Sequence, residues 1–295
     1  MPSRKVQRKP KVPATKPSDL FGSLAAAASA GLVVFAGFLT PVSAQTTDLV
    51  NKSSLRVCAD PANSPMSNEK RQGFENKIAD LIGKAFKIPV TYTWFPQATG
   101  FVRQTLNVKR CDLIIGFAQG HELVQNTNHY YRSIYVMFHK KGNGLDKVES
   151  LDDPALANKS IAVVAGTPPA TIMAMNGMIG NAVPFPLTVD RRHEAPAEKM
   201  ISQVASGEVP MGILWGPIAG PLIKQMAPDL AVRPLNKETK GPRMSYRITM
   251  GLRPNEPEWK HQLNEFIKNH QAEINKVLLD AGVPIVNEKD QLIKQ

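Results

Sequence analysis

Leu55-Arg-Val-Cys-Ala-Asp-Pro61, the apolar series Phe74, Ile78, Leu81, Ile82, Ala85 and Phe86, and Val90-Thr-Tyr-Thr-Trp-Phe95 together decide the fold. The first is a short buried-strand pattern that stops at Asp60-Pro61. The second recurs at i, i+4, i+7, i+8, i+11 and i+12, which places one apolar stripe along a helix that Pro89 ends. The third is β-branched and aromatic and stops at Pro96, so it reads as a second strand.

The same alternation continues outward. Phe101, Val102, Thr105, Leu106 and Val108 suggest a short helix, and Leu113-Ile-Ile-Gly116 a third strand. Parallel strands joined by helices imply a right-handed α/β sheet that binds ligands at the carboxyl ends of its strands. Tyr130 to His139 is extended and aromatic, and the polar Lys140-Lys-Gly-Asn-Gly144 that follows marks a change of lobe. Ser160 to Thr167 opens a second α/β unit whose helix begins at Pro168-Pro169. Met200, Ile201, Val204 and Ala205 mark a further helix, Met211 to Leu214 a strand broken by Trp215-Gly-Pro217, and Met244 to Arg253 another strand. From Pro257, residues Trp259 to Leu278 form one long amphipathic helix capped near Gly282.

Towards the start, Arg4, Lys5, Arg8, Lys9, Lys11 and Lys16 precede an apolar run from Leu20 to Leu39 that ends in Val42-Ser-Ala44. This is the pattern of an export signal cleaved after Ala44, and no later stretch is long and apolar enough to span a bilayer. Of the formal charge of +11, these six basic residues less Asp19 account for +5, which leaves +6 on the remainder. That charge is spread thinly, without the Lys/Arg blocks of nucleic-acid binders. Cys58 and Cys111 are the only two cysteines and both lie in the exported part, so one disulfide is expected. The expected organisation is a signal at 1–44, a first lobe at 45–139, a second at 140–243, and a return to the first at 244–295.

Leu55 to Asp60, Gly73-Phe-Glu75, Arg110-Cys-Asp-Leu-Ile-Ile-Gly116, Tyr130-Tyr-Arg-Ser133 and Val163-Val-Ala-Gly-Thr167 occur in the order of the type II periplasmic substrate-binding proteins of ABC importers, which the chain resembles. More narrowly, Cys58-Ala-Asp-Pro61, Ser67-Asn-Glu69, Gly73-Phe-Glu-Asn76, Tyr92-Thr-Trp-Phe-Pro96, Gly100-Phe-Val-Arg-Gln-Thr-Leu-Asn107 and Arg110-Cys-Asp112 look like the methanol oxidation protein J family. The resemblance implies two α/β lobes joined by a hinge around a central cleft. It also implies a periplasmic location and an accessory role in maturing or activating a PQQ-dependent methanol dehydrogenase. The competing reading is the receptor of an ABC importer for a small polar or anionic metabolite. Amino-acid-binding relatives pair an Arg after the third strand with the ligand carboxylate and a late Asp with its amine. Gln119 to Thr127 has no Arg, and Leu214-Trp-Gly-Pro217 has no Asp.

Strand ends and adjoining turns place Asp60, Asn63, Glu75, Trp94 and Trp215 towards the cleft, for contact with a small molecule or a peptide. Trp94 also reads as an ordinary core aromatic, and Glu75 as a carboxylate suited to a helix N-terminus. Arg103 and Arg132 are candidate anion binders, although a surface ion pair is the commoner fate of an Arg. Gly166 and Thr167, ahead of a helix, offer N–H groups and a hydroxyl to an anion. His121-Glu122 and His193-Glu194 do not continue as H-E-x-x-H, so no metal is expected, and the Met173, Met175 and Met178 group reads as core filling. No nucleophile elbow, phosphate loop or triad is present, so no catalytic residue or cofactor is assigned and the chain reads as a binding protein.

Overall fold

The computed structural model describes residues 48–293; the expected export signal lies outside them. In the first lobe β1 (Leu55–Ala59) pairs in parallel with β4 (Val90–Trp94), Leu55 opposite Val90 and Ala59 opposite Trp94. The small hairpin of β2 (Ala62–Asn63) and β3 (Ser67–Asn68) leads from β1 to α1 (Phe74–Phe86). The α1 stripe is as expected: Phe74, Ile78 and Ile82 are buried among Leu55, Leu113, Met250 and Leu263. Its start is set by close packing, because a Cβ on Gly73 would lie 2.0 Å from the Met66 carbonyl oxygen. Asn76 closes the first turn by accepting from the Gly73 and Asn68 N–H groups, each at 3.1 Å. The expected helix after Gly100 is brief, α2 (Phe101–Gln104).

Leu113 continues the parallel pairing at Val57, and beyond it the sheet is mixed. β5 (Ile114–Ala118) runs antiparallel to β12 (Ser245–Leu252), as does the two-residue β6 (Gln125–Asn126). The ten-residue β7 (Tyr131–Lys140) pairs with β12 through Tyr131–Ile134 and then with β10 (Met211–Trp215) through Tyr135–His139. Along the same edge as β12, β7 also pairs with β11 (Leu230–Pro234). Tyr130 and Tyr131 pack in the first core, whereas Ile134, Val136, Met137 and Phe138 pack in the second. One strand thus joins two separate hydrophobic cores. β12 makes the return crossing, with Met244 just ahead of it in the second core and Ile248 in the first.

The second lobe is the α/β unit that the sequence suggests: β8 (Ile161–Val164) lies parallel to both β9 (Ala182–Phe185) and β10. Around it lie α3 (Pro168–Met175), α4 (Pro196–Ser206) and α5 (Gly216–Met226). Trp215-Gly-Pro217 ends the strand as expected, and Gly216 opens α5 directly after it. Pro217 sits in the first turn, where no N–H is needed, and a Cβ on Gly220 would lie 2.0 Å from the Gly282 carbonyl oxygen. These glycines and prolines therefore serve close packing. The single helix expected from Pro257 is two, α6 (Pro257–Asn269) and α7 (Gln271–Ala281), with the break at His270. There the Gln271 amide donates to the Tyr130 carbonyl (2.8 Å), seating the start of α7 on the first lobe.

The expected disulfide joins Cys58 to Cys111, both buried. Beside it Asp112 accepts both N–H arms of Arg56 (2.7 and 2.6 Å) and one from Arg253 (2.7 Å). Arg253 also binds Glu256 (2.6 Å) and donates to the Leu106 and Cys111 carbonyls. This buried ion cluster ties β1, the 106–112 turn and the end of β12 together.

Candidate functional site

Each wall of the cleft is built from strand ends. Asp60, immediately after β1, is buried, and its carboxylate accepts from the Ala62 N–H (2.8 Å) and the Gln97 N–H (2.7 Å). It therefore staples the turn after β1 to the turn after β4. Asn63 is also buried; its amide donates to Gln97 Oε1 (2.8 Å), and its Oδ1 accepts from Arg191, which comes from the second lobe. A polar chain Arg191–Asn63–Gln97–Asp60 thus crosses between the lobes, 128 residues apart in sequence at its first step.

Glu75, in the first turn of α1, lies against β5, where a Cβ on Gly116 would meet its Oε1 at 2.0 Å. Its carboxyl forms no hydrogen bond among the described residues. Burial first, and the nearby Asp60 carboxylate second, push it up to about 7. Because an unfolded Glu releases its proton near pH 4.3, the folded state holds more protons between these values, and stability falls as pH rises through them. Glu75→Gln, neutral throughout, should leave stability nearly unchanged at pH 4, below both values. At pH 8 it should add roughly 2–3 kcal/mol, discounted for partial solvent contact. Urea unfolding at the two pH values tests this; an equal effect at both refutes it.

In the second lobe the β8–α3 turn is made at Gly166, whose φ of +74° suits glycine. Thr167 is buried, its hydroxyl donates to the Val164 carbonyl (2.6 Å), and Pro168 and Pro169, which lack N–H groups, follow it. Thr167 and Trp215 meet at a cavity of about 250 Å³. Tyr135, Leu187, Ile218, Pro186 and Pro196 complete its apolar walls, with Ala62 and Ser64 reaching it from the first lobe. The Trp215 ring sits between Tyr135 (5.2 Å between centroids) and Tyr246 (5.7 Å). Arg191, Glu194 and Glu198 bring charge to the cavity, and Arg191 also lines a neighbouring one of about 480 Å³ together with Asp60 and Gln97.

Of the residues singled out from sequence, the fold gathers Asp60 and Asn63 with Arg191, and Thr167 with Trp215. Glu75 lies near Asp60 and Gly166 adjoins Thr167, whereas Trp94, Arg103 and Arg132 lie apart. Trp94 stacks on Tyr92 (4.4 Å, 5°) and packs against the first core. Arg103 is exposed at the end of α2. Arg132 is ion-paired to Glu288 (2.8 Å) and Asp290 (2.6 Å), in a separate polar cavity of about 710 Å³ with Lys240, Arg243 and Arg247. Sequence reasoning missed Arg191, Leu187 and Gln97 and set Glu194 aside with His193, all on connections without periodicity. Tyr135 could have been found, since it faces away from buried Ile134 and Val136 in a strand that was recognised.

No family model matches the chain. It is 27% identical over 283 residues to Protein MoxJ of Methylorubrum extorquens, covering 88% of this chain and 94% of that protein. The crystal structure of the periplasmic binding protein XoxJ from Methylobacterium extorquens AM1 is 38% identical, with a TM-score of 0.68 over 79% of this chain and 100% of that one. The chain belongs to the MoxJ family of periplasmic binding proteins. MxaJ from Methlophaga aminisulfidivorans MPT, at 22% identity and a TM-score of 0.70 over 79% of this chain and 100% of its own, shares the fold. As in any MoxJ-family member built on this fold, the cleft between lobes is where a ligand is sought. Here it holds an aromatic-walled cavity, and the β5–β6 connection Gln119–Val124 contains no Arg to grip a carboxylate. Among the described residues no helix is long and apolar enough to cross a membrane.

Proposed function

We propose that this protein is a periplasmic, non-enzymatic accessory factor for a PQQ-dependent methanol or alcohol dehydrogenase, assisting its maturation or activation by holding the enzyme or a segment of it in the cleft. The cavity around Trp215 carries the reading. At about 250 Å³ it is smaller than the roughly 300–1,000 Å³ of ordinary small-molecule sites, and it is walled by Tyr135, Leu187 and Ile218. A pocket of that kind suits one anchoring side chain of a protein segment. Membership of the MoxJ family supports the link to methanol oxidation. The alternative, a receptor for a small polar or anionic metabolite, draws on the polar 710 Å³ cavity beside Arg132 and Arg243.

The test is retention of partners from periplasmic extract on the immobilised protein, read by mass spectrometry. A quinoprotein dehydrogenase should be recovered. Leu187→Lys, at a side chain already 60% exposed, should leave the fold intact and reduce that recovery by about tenfold. Recovery of a small metabolite with no dehydrogenase would overturn the reading in favour of the receptor.

A further inference from the structure

The charge at the Trp215 cavity does not match its walls. An apolar pocket for an apolar group needs no carboxylates, yet Glu194 and Glu198 both line it, and neither forms an ion pair among the described residues. Glu198 lies in the first turn of α4, where a carboxylate also suits the helix macrodipole; Glu194 precedes the helix and gains little from it. The one cation at the cavity, Arg191, donates across the cleft to Asn63 Oδ1. Tyr135 and Trp215 line the same cavity, their ring centroids 5.2 Å apart. Carboxylates and aromatic faces attract a cation, and an ammonium group, which donates three hydrogens and accepts none, matches such a lining. The small volume and apolar walls require the rest of the group to be a short hydrocarbon stem.

We infer that this cavity binds an alkylammonium group, a primary-amine cation on an apolar stem. The group comes either from a free amine or from a lysine side chain of a protein segment. A carboxylate meets two glutamates there and an arginine already engaged. The inference deepens the reading of the cavity as the working part of the cleft, but its test needs no dehydrogenase, so either can fail alone.

Hexylammonium, 1-hexanol and hexanoate, which share one stem and differ in charge, are titrated into the purified protein by calorimetry, beside Nα-acetyl-lysine amide. Hexylammonium should bind about tenfold more tightly than 1-hexanol, with hexanoate weakest. Glu194→Gln/Glu198→Gln should erase the preference, with circular dichroism unchanged. Arg191→Met, which removes the opposing charge, should strengthen hexylammonium binding. Equal affinities, a preference for hexanoate, no detectable amine binding, or weaker amine binding in Arg191→Met each overturn the inference. Tighter binding of the lysine derivative than of the free amine assigns the group to a protein segment, and the reverse order to a metabolite.

Discussion

Arg253→Met should lower the unfolding free energy by about 3–5 kcal/mol, the cost of breaking a buried ion pair from one side. Methionine is of comparable length and apolar, so packing is largely kept. Asp112 and Glu256, whose side chains are 1% and 4% exposed, lose their shared partner, and Asp112 keeps Arg56 and the Asn51 N–H. The Leu106 and Cys111 carbonyls lose their donor as well. Urea unfolding at pH 7 measures the loss. Burial already raises the Glu256 carboxyl, and without Arg253 it rises further. An orphaned carboxylate is costly only while charged, so the deficit should shrink as pH falls and Glu256 takes up a proton. Glu256→Gln in the Arg253→Met background should recover part of the loss at pH 7. A deficit below about 1 kcal/mol, or one independent of pH, would show that the cluster is solvated and of little consequence.

Removing the Cys58–Cys111 disulfide, by Cys58→Ala/Cys111→Ala, should cost about 2–5 kcal/mol; chain entropy alone accounts for about 4 kcal/mol for a loop of this length. The bridge closes a sequence separation of 53, with its Cα atoms 5.5 Å apart, and both sulfurs lie in a small cluster with Phe101, Val102, Leu106, Ile114 and Val124. Denaturation with and without reductant checks it. The wild-type protein should lose stability on reduction, whereas the double variant should show no response. The disulfide and the Arg253 cluster hold the same turn, since Arg253 donates to the Cys111 carbonyl. Their combined loss should therefore depart from the sum of the separate losses, as expected of contacting groups.

Much of the architecture is legible without coordinates. The Phe74–Phe86 stripe, the β-branched run at Val90–Trp94 and the strand at Met211–Trp215 appear where their patterns place them, because alternation and helical periodicity encode which face of an element is buried. The lone cysteine pair, in a stretch expected to be exported, likewise implied its bridge. Periodicity does not encode which neighbour covers that face. The antiparallel pairing of β12 with β5 and β7 is therefore not legible from it. Trp215-Gly-Pro217 reads as the end of a strand, but pattern alone does not show that Gly216 and Gly220 pack within a helix against Ile134, Gly282 and Pro284.

The site divides in the same way. Asp60, Asn63, Thr167 and Trp215 were within reach of the sequence because strand ends in an α/β lobe face its ligand side, a rule of backbone topology. Sequence by itself determined the fold class, the family resemblance and the disulfide, all of which depend on local pattern and order along the chain. Only the tertiary structure decided that Arg191 reaches Asn63 across the cleft, that Arg132 is held by Glu288 and Asp290, and that Glu194 and Glu198 border an aromatic cavity. Those facts depend on distances between residues far apart in the chain, and such distances are set by how two independently packed cores meet.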